Sequence, residues 1–150
     1  MELSEIMQPD RVIAGLRVRD KAHLTAELSR GAAAALKLEP SNIEAALTAR
    51  ERLGSTGLGR GFALPHARVS GLDRFFGLFA RLARPIAFDA IDEQPVDLVF
   101  LLLIPENRKE SHVAVLAAIS RRLRDQGVAQ QLRKAINSAD LYHLLTSATV

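Results

Sequence analysis

The 150-residue chain contains no cysteine, which excludes disulfides, thiolate metal sites and any cysteine that acts as a nucleophile or phosphoryl acceptor within it. No run of about 18 uncharged apolar residues is present either, so we expect no insertion into a membrane. The N-terminal residues are acidic where a secretory signal peptide is basic. The sequence therefore predicts a cytoplasmic protein.

Hydrophobic residues make up 48% of the chain and charged residues 25%. We find no internal repeat and no low-complexity linker that would divide it. This balance at this length is typical of one globular domain with a buried core. We therefore expect a single domain over residues 1–150.

The basic residues are mostly arginine, which accounts for 16 of the 20, and the formal net charge is +3. Arginine binds carboxylate and phosphate groups, so the cluster of Arg121, Arg122 and Arg124 is compatible with a nucleic-acid or acidic partner. A short basic run on a helix is more often a solvated face, and no aromatic platform for bases accompanies this one. We expect no nucleic-acid partner, and the sequence assigns the cluster no role.

The sequence predicts five helices. The first covers residues 20–38 and the second Ser41 to about Leu53. The third contains Val113, Leu116, Ile119 and Leu123 at helical spacing, and the last two cover residues 128–136 and 139–148. Asp20 is the expected N-cap of the first helix, and Ser41 with Glu44 forms a capping box at the second. Ser138 is the expected cap of the last helix.

Four segments have the composition of strands: residues 62–65, 74–82, 85–91 and 95–105. The last, PVDLVFLLLIP, is nearly all apolar, which is typical of a central strand covered on both faces. The loop ENRKES separates it from the third helix. The order of these elements predicts an α/β (α+β) fold, a single domain with a central mixed β-sheet sandwiched between helices.

Glycine is scarce but concentrated, with five of its nine residues in LGSTGLGRGFALPHARVSGL, residues 53–72. The Gly57-x-Gly59-x-Gly61 spacing is similar to a dinucleotide fingerprint, but that motif leaves a strand and opens a helix. Here a helix precedes the glycines and a strand follows, and the lysine ending of a P-loop is missing. What remains is a loop whose N–H donors, with the hydroxyls of Ser55 and Thr56, can turn toward an anion.

None of the four histidines has the spacing of a zinc site, so we expect no metal. His23 and His143 lie in helical segments among polar residues and are interpreted as ordinary surface or half-buried residues. His66 and His112 each follow a predicted strand. If those strands run parallel, both rings lie at the C-terminal edge of the sheet, where open α/β folds bind their ligands.

Arg50 lies near the end of the second predicted helix, in position to reach the glycine loop. A neutral imidazole is a competent nucleophile toward phosphorus, and a guanidinium with backbone N–H groups stabilises the oxygens of a transferring phosphoryl group. The commoner interpretation of such residues is a turn histidine, a helix-edge arginine and glycines that make a tight connection. The residues alone leave both interpretations open.

The segment ARERLGSTGLGRGFALPHARV resembles the active-site signature of the enzyme IIA components of the bacterial sugar phosphotransferase system, in the fructose/mannitol and nitrogen-regulatory branch. The family pattern is approximately R-E-x-x-G-S-T-G-I-G-x-G-I-A-I-P-H, and residues 50–66 stand in register with it. DEQPVDLVFLLLIPENRKESHVAVLAAISRRL resembles the second block of the family, a buried strand followed by a histidine that opens a helix. The similarity covers a core of about residues 5–146, and a stand-alone chain of this length is most similar to the nitrogen-regulatory enzyme IIA.

The resemblance implies a role for each matching residue. His66 is the implied phosphoryl acceptor, His112 the second active-site histidine, and Arg50 the residue that stabilises the charge of the phosphoryl group. The implied phosphoryl-binding loop consists of Ser55, Thr56 and Gly57.

The resemblance also implies a phosphotransferase that needs no cofactor and receives its phosphoryl group from an HPr-like phosphocarrier protein. It implies regulation of target proteins in nitrogen and potassium physiology. One alternative is a soluble IIA subunit that passes the group to a separate IIB protein, and another is a non-enzymatic binding module. For carrier docking we expect an apolar rim of Leu58, Phe62 and Leu64, with partial burial in the core as the alternative.

Overall fold

Within residues 2–107 and 112–147, which the computed structural model describes, the chain forms six strands and five helices. The strands are β1 (Val12–Leu16), β2 (Gly57–Gly59), β3 (Phe62–Ala63), β4 (His66–Val69), β5 (Phe76–Ile86) and β6 (Val96–Pro105). The helices are α1 (Lys21–Leu36), α2 (Pro40–Arg52), α3 (Val113–Arg124), α4 (Gln126–Lys134) and α5 (Ser138–Thr146). Two short 3-10 turns, Leu3–Glu5 and Pro9–Arg11, precede β1.

The six strands form one mixed sheet in the order β1-β5-β6-β3-β2, with β4 also paired to β6. β5 runs antiparallel to β6 and parallel to β1. β3 and β4 both run parallel to β6 and follow one another along the same edge of it. The long apolar strand is thus central, as its composition predicts.

β6 is buried on both faces because its side chains alternate between two hydrophobic cores. Val99, Leu101 and Leu103 pack with residues of α1 and α2 on one face. Leu98, Phe100, Leu102 and Ile104 pack with residues of α3, α4 and α5 on the other. The predicted fold class, a mixed sheet sandwiched between helices in a single domain, is confirmed.

The predicted first helix and its cap are confirmed, since the Asp20 carboxylate accepts the backbone N–H of His23 at 2.8 Å. The predicted cap of the second helix is wrong. α2 begins at Pro40, and its N-cap Glu39 makes no side-chain capping bond. Proline suits the first helical position because that position needs no N–H and has a φ close to the one that the ring fixes.

The cap of the last helix is also corrected. α5 is capped by the side chain of Asn137, which accepts the backbone N–H of Asp140 at 2.9 Å, rather than by Ser138. The helix predicted over 128–136 begins earlier, at Gln126, because the Asp125 carboxylate accepts two backbone N–H groups there. Residues 108–111 of the ENRKES loop and residue 148 of the last predicted helix lie outside the described residues.

The prediction of two strands over 74–82 and 85–91 is wrong. β5 is continuous to Ile86, and its register against β6 shifts between Arg81 and Ile86. Phe88 and Ala90 then lie in a loop, where they are buried in the core on the α1 and α2 side of the sheet. A buried loop and a strand have the same apolar composition, which is why the pattern was misleading. Among the described residues, no helix combines the length and apolar character that crossing a bilayer requires.

Candidate functional site

The glycine-rich segment forms a small hairpin, because β2 pairs antiparallel with β3. Gly57 is required by close packing, since a Cβ there would lie 2.9 Å from the Cα of Ala90. Gly61 has a φ of +83° at the turn between the two strands, a conformation that favours glycine. The hairpin thus presses against the loop after β5 and delivers the chain to His66.

His66 is the first residue of β4 and pairs with Leu102 of β6. Pro65 separates β4 from β3 because proline has no N–H for the ladder, although its carbonyl accepts the N–H of Leu102 at 3.0 Å. The predicted parallel arrangement is confirmed. His66 lies alongside the C-terminal half of β6, which ends at Pro105. The expectation that both rings lie at the C-terminal edge of the sheet stays a prediction.

Two contacts fix the proton on the His66 ring. Nδ1 lies 2.8 Å from the carbonyl oxygen of Leu64, and a carbonyl only accepts, so Nδ1 carries the proton and donates. Nε2 lies 3.4 Å from Nε of Arg50, and a guanidinium only donates, so Nε2 carries the lone pair. Both contacts therefore specify one neutral tautomer with an unprotonated Nε2.

Arg50 reaches this position from the last turn of α2. Its Nη1 donates to the carbonyl oxygen of Gly54 at 2.9 Å, which anchors the guanidinium at the helix C-terminus. The predicted approach of Arg50 to the glycine loop is therefore observed. The side chain is half-buried, so its charge is less screened by solvent than that of an exposed arginine.

The pKa of His66 is lowered from the usual value of histidine. Burial of the half-buried ring is the largest cause, and the Coulombic interactions with Arg50 and with His112 lower the pKa further. The Leu64 carbonyl and the Glu51 carboxylate oppose them. The neutral, nucleophilic form of the ring is therefore favoured at neutral pH.

The three residues of the predicted phosphoryl-binding loop have their polar groups engaged with the protein. The hydroxyl of Ser55 donates to the carbonyl of Phe88 at 3.0 Å and accepts the N–H of Gly57 at 3.1 Å. The N–H of Thr56 donates to the Glu51 carboxylate at 3.1 Å, and its hydroxyl also contacts that carboxylate. A phosphoryl group would have to displace these bonds to use the same donors, so the role of this loop stays a prediction.

Glu51 and Lys21 are part of the site, although no sequence pattern marked a role for either. Nζ of Lys21 lies 2.7 Å from Oε2 of Glu51, and it also donates to the carbonyl of Phe88 at 3.3 Å. Glu51 in turn holds Thr56. This network ties the start of α1, the end of α2 and the glycine segment together next to Arg50.

His112 lies at the N-cap of α3 and makes no side-chain capping bond there. Its Nδ1 lies 3.2 Å from Nη2 of Arg68, another residue that the sequence did not mark. His112 is close enough to His66 for a Coulombic interaction between the two rings to lower the pKa of His66. The structure thus places His66, Arg50 and His112 around one region.

A cavity of about 320 Å³ opens beside these residues. Its lining includes Arg50, Ser55, Thr56 and His66 from the first half of the chain and four residues of α3: Val113, Leu116, Ala117 and Ser120. The volume accommodates a small anion and part of a partner's side chain.

The predicted apolar rim is partly wrong. Leu58, 38% exposed, and Leu64, 3% exposed, both line the cavity, whereas Phe62 is 1% exposed and is not part of the lining. Phe62 and Leu64 pack into the core on the α3 side of the sheet, because β3 and the segment after it lie inside the sheet. Val113, 63% exposed, provides apolar surface on the opposite wall.

The remaining predicted groups, His23, His143 and the arginine cluster, do not line this cavity. His23 is half-buried and pairs with Glu27 at 3.4 Å, and His143 is exposed. The predicted basic cluster is divided, because Arg122 is half-buried and donates through Nε to the carbonyl of Leu144 at 3.0 Å. Over the described ranges, no three histidine or acidic side chains gather where they could hold a metal ion.

The chain matches known proteins over nearly its whole length. Residues 5–148 match the family described as "Phosphoenolpyruvate-dependent sugar phosphotransferase system, EIIA 2". The chain is 41% identical over 145 residues to the nitrogen regulatory protein of Bradyrhizobium diazoefficiens. The matched region covers 97% of this chain and 95% of that protein.

Two solved structures are also similar to this chain. The nitrogen regulatory protein IIA-Ntr of Neisseria meningitidis has a TM-score of 0.90 at 33% identity, covering 96% of this chain and 99% of that chain. The enzyme IIA mannitol of Escherichia coli, solved in a complex with phosphorylated enzyme IIB mannitol, has a TM-score of 0.79 at 18% identity and covers 95% of this chain and 98% of that chain. The second match shows a shared fold. The chain belongs to the enzyme IIA family of the phosphoenolpyruvate-dependent sugar phosphotransferase system and resembles its nitrogen-regulatory members.

Proposed function

We propose that this chain accepts a phosphoryl group on Nε2 of His66 from a phosphohistidine of a small HPr-like carrier protein. In this proposal it acts as a phosphorylation-dependent regulator of the nitrogen-regulatory enzyme IIA type. The observation that carries the proposal is the tautomer of His66, whose lone pair lies on Nε2 beside the Arg50 guanidinium. A neutral imidazole next to a fixed cation is suited to attack a dianionic phosphoryl group.

The transfer balances without an acid or a base from this chain. The lone pair of Nε2 forms a bond to phosphorus as the bond between phosphorus and the carrier's imidazole breaks, and that electron pair returns to the carrier's ring. The carrier's ring carries a proton on its other nitrogen and so leaves as a neutral imidazole, while the ring of phosphorylated His66 takes up the positive charge. The proton on Nδ1 stays in place, hydrogen bonded to the carbonyl of Leu64. Since both donor and product are phosphohistidines, the reaction is close to isoenergetic, and positioning provides most of the catalysis.

Arg50 stabilises the group during transfer and after it. The contact between its Nε and Nε2 of His66 is long, at 3.4 Å, so it is weak and is displaced at low cost when phosphorus approaches. The guanidinium then lies beside the phosphoryl oxygens, where a charge-assisted bond is stronger than the one it replaces.

Regulation follows from the charge that the modification adds. A phosphoryl group carries about two negative charges at neutral pH, and His66 lies next to a cavity with Leu58 and Val113 on its rim. The charge repels acidic partners and changes the surface from apolar and basic to acidic. The names of the relatives support a regulatory rather than a purely metabolic role.

Labelling with a phosphorylated carrier tests the proposal. We expect the intact mass of the chain to increase by one phosphoryl group, and the His66→Ala variant to take up none. His143→Ala is the matched control, since it removes an exposed histidine that does not line the cavity and should be labelled like the unmodified chain. Stoichiometric labelling of His66→Ala would refute the assignment.

A second candidate is a soluble IIA subunit that passes the group to a separate IIB protein. The mannitol relative was solved in a complex with phosphorylated enzyme IIB, and the present chain has no cysteine of its own, so a cysteine acceptor would have to lie on another molecule. Reconstitution with candidate IIB proteins separates the two functions. A regulator supports little sugar phosphorylation in that assay, whereas a transport subunit supports sustained turnover.

A further inference from the structure

Arg68 lies on the same face of β4 as His66. Successive side chains of a strand point to opposite faces, and the burial along β4 alternates accordingly: Ala67 and Val69 are buried, whereas His66 is half-buried and Arg68 is exposed. β4 therefore presents an imidazole and a guanidinium side by side toward the region where α3 begins.

The contact between Arg68 and His112 determines where the proton of His112 lies. Nη2 of Arg68 is 3.2 Å from Nδ1 of His112, and a guanidinium donates hydrogen bonds but accepts none. Nδ1 of His112 must therefore accept, which leaves the proton of the neutral ring on Nε2. This is the opposite tautomer from that of His66.

The helix that carries His112 does not fix its ring by itself. The side chain makes no capping bond to α3, although it stands at the N-cap position where short polar side chains usually bond to the first turn. The orientation of the ring depends on its neighbours, and among the described residues Arg68 bonds to a ring nitrogen.

We propose that Arg68 is a positioning residue for phosphoryl transfer, which holds His112 as the Nε2–H tautomer so that this N–H donates to an oxygen of the phosphoryl group on His66. The inference rests on the proposed function, since it assigns a role to Arg68 in that reaction. Arg68 also brings a second positive charge to a site where Arg50 supplies the first.

The test uses the full chain with the substitution Arg68→Met, which keeps an unbranched stem but removes every donor. Arg68→Lys restores the charge and donors in part. Arg84→Met is the matched control, because Arg84 is an exposed arginine at the far end of β5. Two quantities are measured: the rate of labelling by a phosphorylated HPr-like carrier, and the tautomer of His112 by long-range proton–nitrogen NMR spectra of the unphosphorylated chain.

We expect Arg68→Met to be labelled to the same final stoichiometry as the unmodified chain, at a rate reduced roughly tenfold or more. A reduction of this size corresponds to the loss of one hydrogen bond to a charged group. Nitrogen shifts should show that His112 moves from the Nε2–H form to a mixture with the Nδ1–H form. Arg68→Lys should restore part of the rate, and Arg84→Met should change neither quantity. Unchanged labelling and an unchanged tautomer in Arg68→Met would overturn the proposal.

A double-mutant cycle with His112→Gln tests the route of the effect. The amide of glutamine offers an N–H without the help of Arg68, so Arg68→Met should cost little further rate in that background. The same loss in both backgrounds would overturn the role through His112. If the unmodified chain takes no label at His66, the proposed function fails, and the NMR spectra still decide whether Arg68 sets the form of His112.

Discussion

Nε of Arg50 lies 3.4 Å from Nε2 of His66, the ring nitrogen that is left without a proton because Nδ1 donates to the carbonyl of Leu64. This relationship has two consequences. The cation opposes protonation of the nitrogen before transfer, and it stands beside the position that a phosphoryl group would occupy afterwards. In the proposed function, one side chain thus favours both the reactive form of the histidine and its phosphorylated product.

Replacing Arg50 by methionine should raise the pKa of His66, because a positive charge that lowers it is removed. Transfer from a phosphorylated carrier should also slow, by roughly a hundredfold, since a fixed donor to the phosphoryl oxygens is lost. The pKa is measured by NMR titration of the His66 ring. Arg52→Met, an exposed change on the same helix, should change neither the pKa of His66 nor the transfer rate. A lower His66 pKa in Arg50→Met would contradict the account.

The stability of the chain should depend on pH through His66. The pKa of this ring is lower in the folded chain than in the unfolded chain, where it is about 6.5. The unfolded chain therefore binds more protons between those two values, so the contribution of His66 is fully present above about pH 6.5 and is lost as the pH falls below it. Urea unfolding on both sides of that pH should show a flatter dependence for His66→Gln than for the unmodified chain. A steeper dependence in the variant would have the wrong sign.

Glu51→Gln should loosen the glycine segment. The carboxylate accepts the N–H of Thr56 and pairs with Lys21 at 2.7 Å, with only 12% of the Glu51 side chain exposed. We expect a loss of about 1–3 kcal/mol in the free energy of unfolding, the usual cost of a buried group left without its charged partner. Amide hydrogen exchange at Thr56 should accelerate. Glu39→Gln, an exposed change at a position without a capping bond, serves as the control, and equal losses in the two variants would count against the network.

Gly57→Ala should destabilise the chain, because the new Cβ would lie 2.9 Å from the backbone of Ala90 and 3.0 Å from the Phe88 ring. Overpacking of this kind costs about 1–3 kcal/mol. The matched change is Gly31→Ala within α1, where a Cβ would meet Leu78 at an ordinary 3.6 Å. It should stabilise the chain by about 0.5–1 kcal/mol through helix propensity. Thermal unfolding that ranks the two variants in the reverse order would contradict the packing described here.

Long elements with strong hydrophobic patterns could be predicted from the sequence. The apolar run of β6 and the spacing of Ile119 and Leu123 in α3 depend on burial, and burial is what such patterns record. The boundaries were less predictable, since α2 begins at Pro40 one residue before the serine that was expected to cap it, and Asn137 caps α5 in place of the neighbouring serine. The single strand β5 was predicted as two strands because its register against β6 shifts between Arg81 and Ile86, where Pro85 interrupts the strand pattern of the sequence.

The candidate site was predictable where its residues are neighbours in the chain. Arg50 and His66 fall in one motif of 17 residues, and the structure brings them into contact. Lys21 and Arg68 were missed because their roles depend on tertiary pairing, Lys21 with Glu51 across 30 positions and Arg68 with His112 across 44. Alternation along β4 was the one available signal for Arg68, and it needs the strand to be known first.

The most direct test of the account is to determine which nitrogen of His66 carries the phosphoryl group, by long-range proton–nitrogen spectra of the chain after reaction with a phosphorylated HPr-like carrier. We predict phosphorus on Nε2 and a proton retained on Nδ1, where it donates to the Leu64 carbonyl. Phosphorus on Nδ1, or on any residue other than His66, would contradict the account.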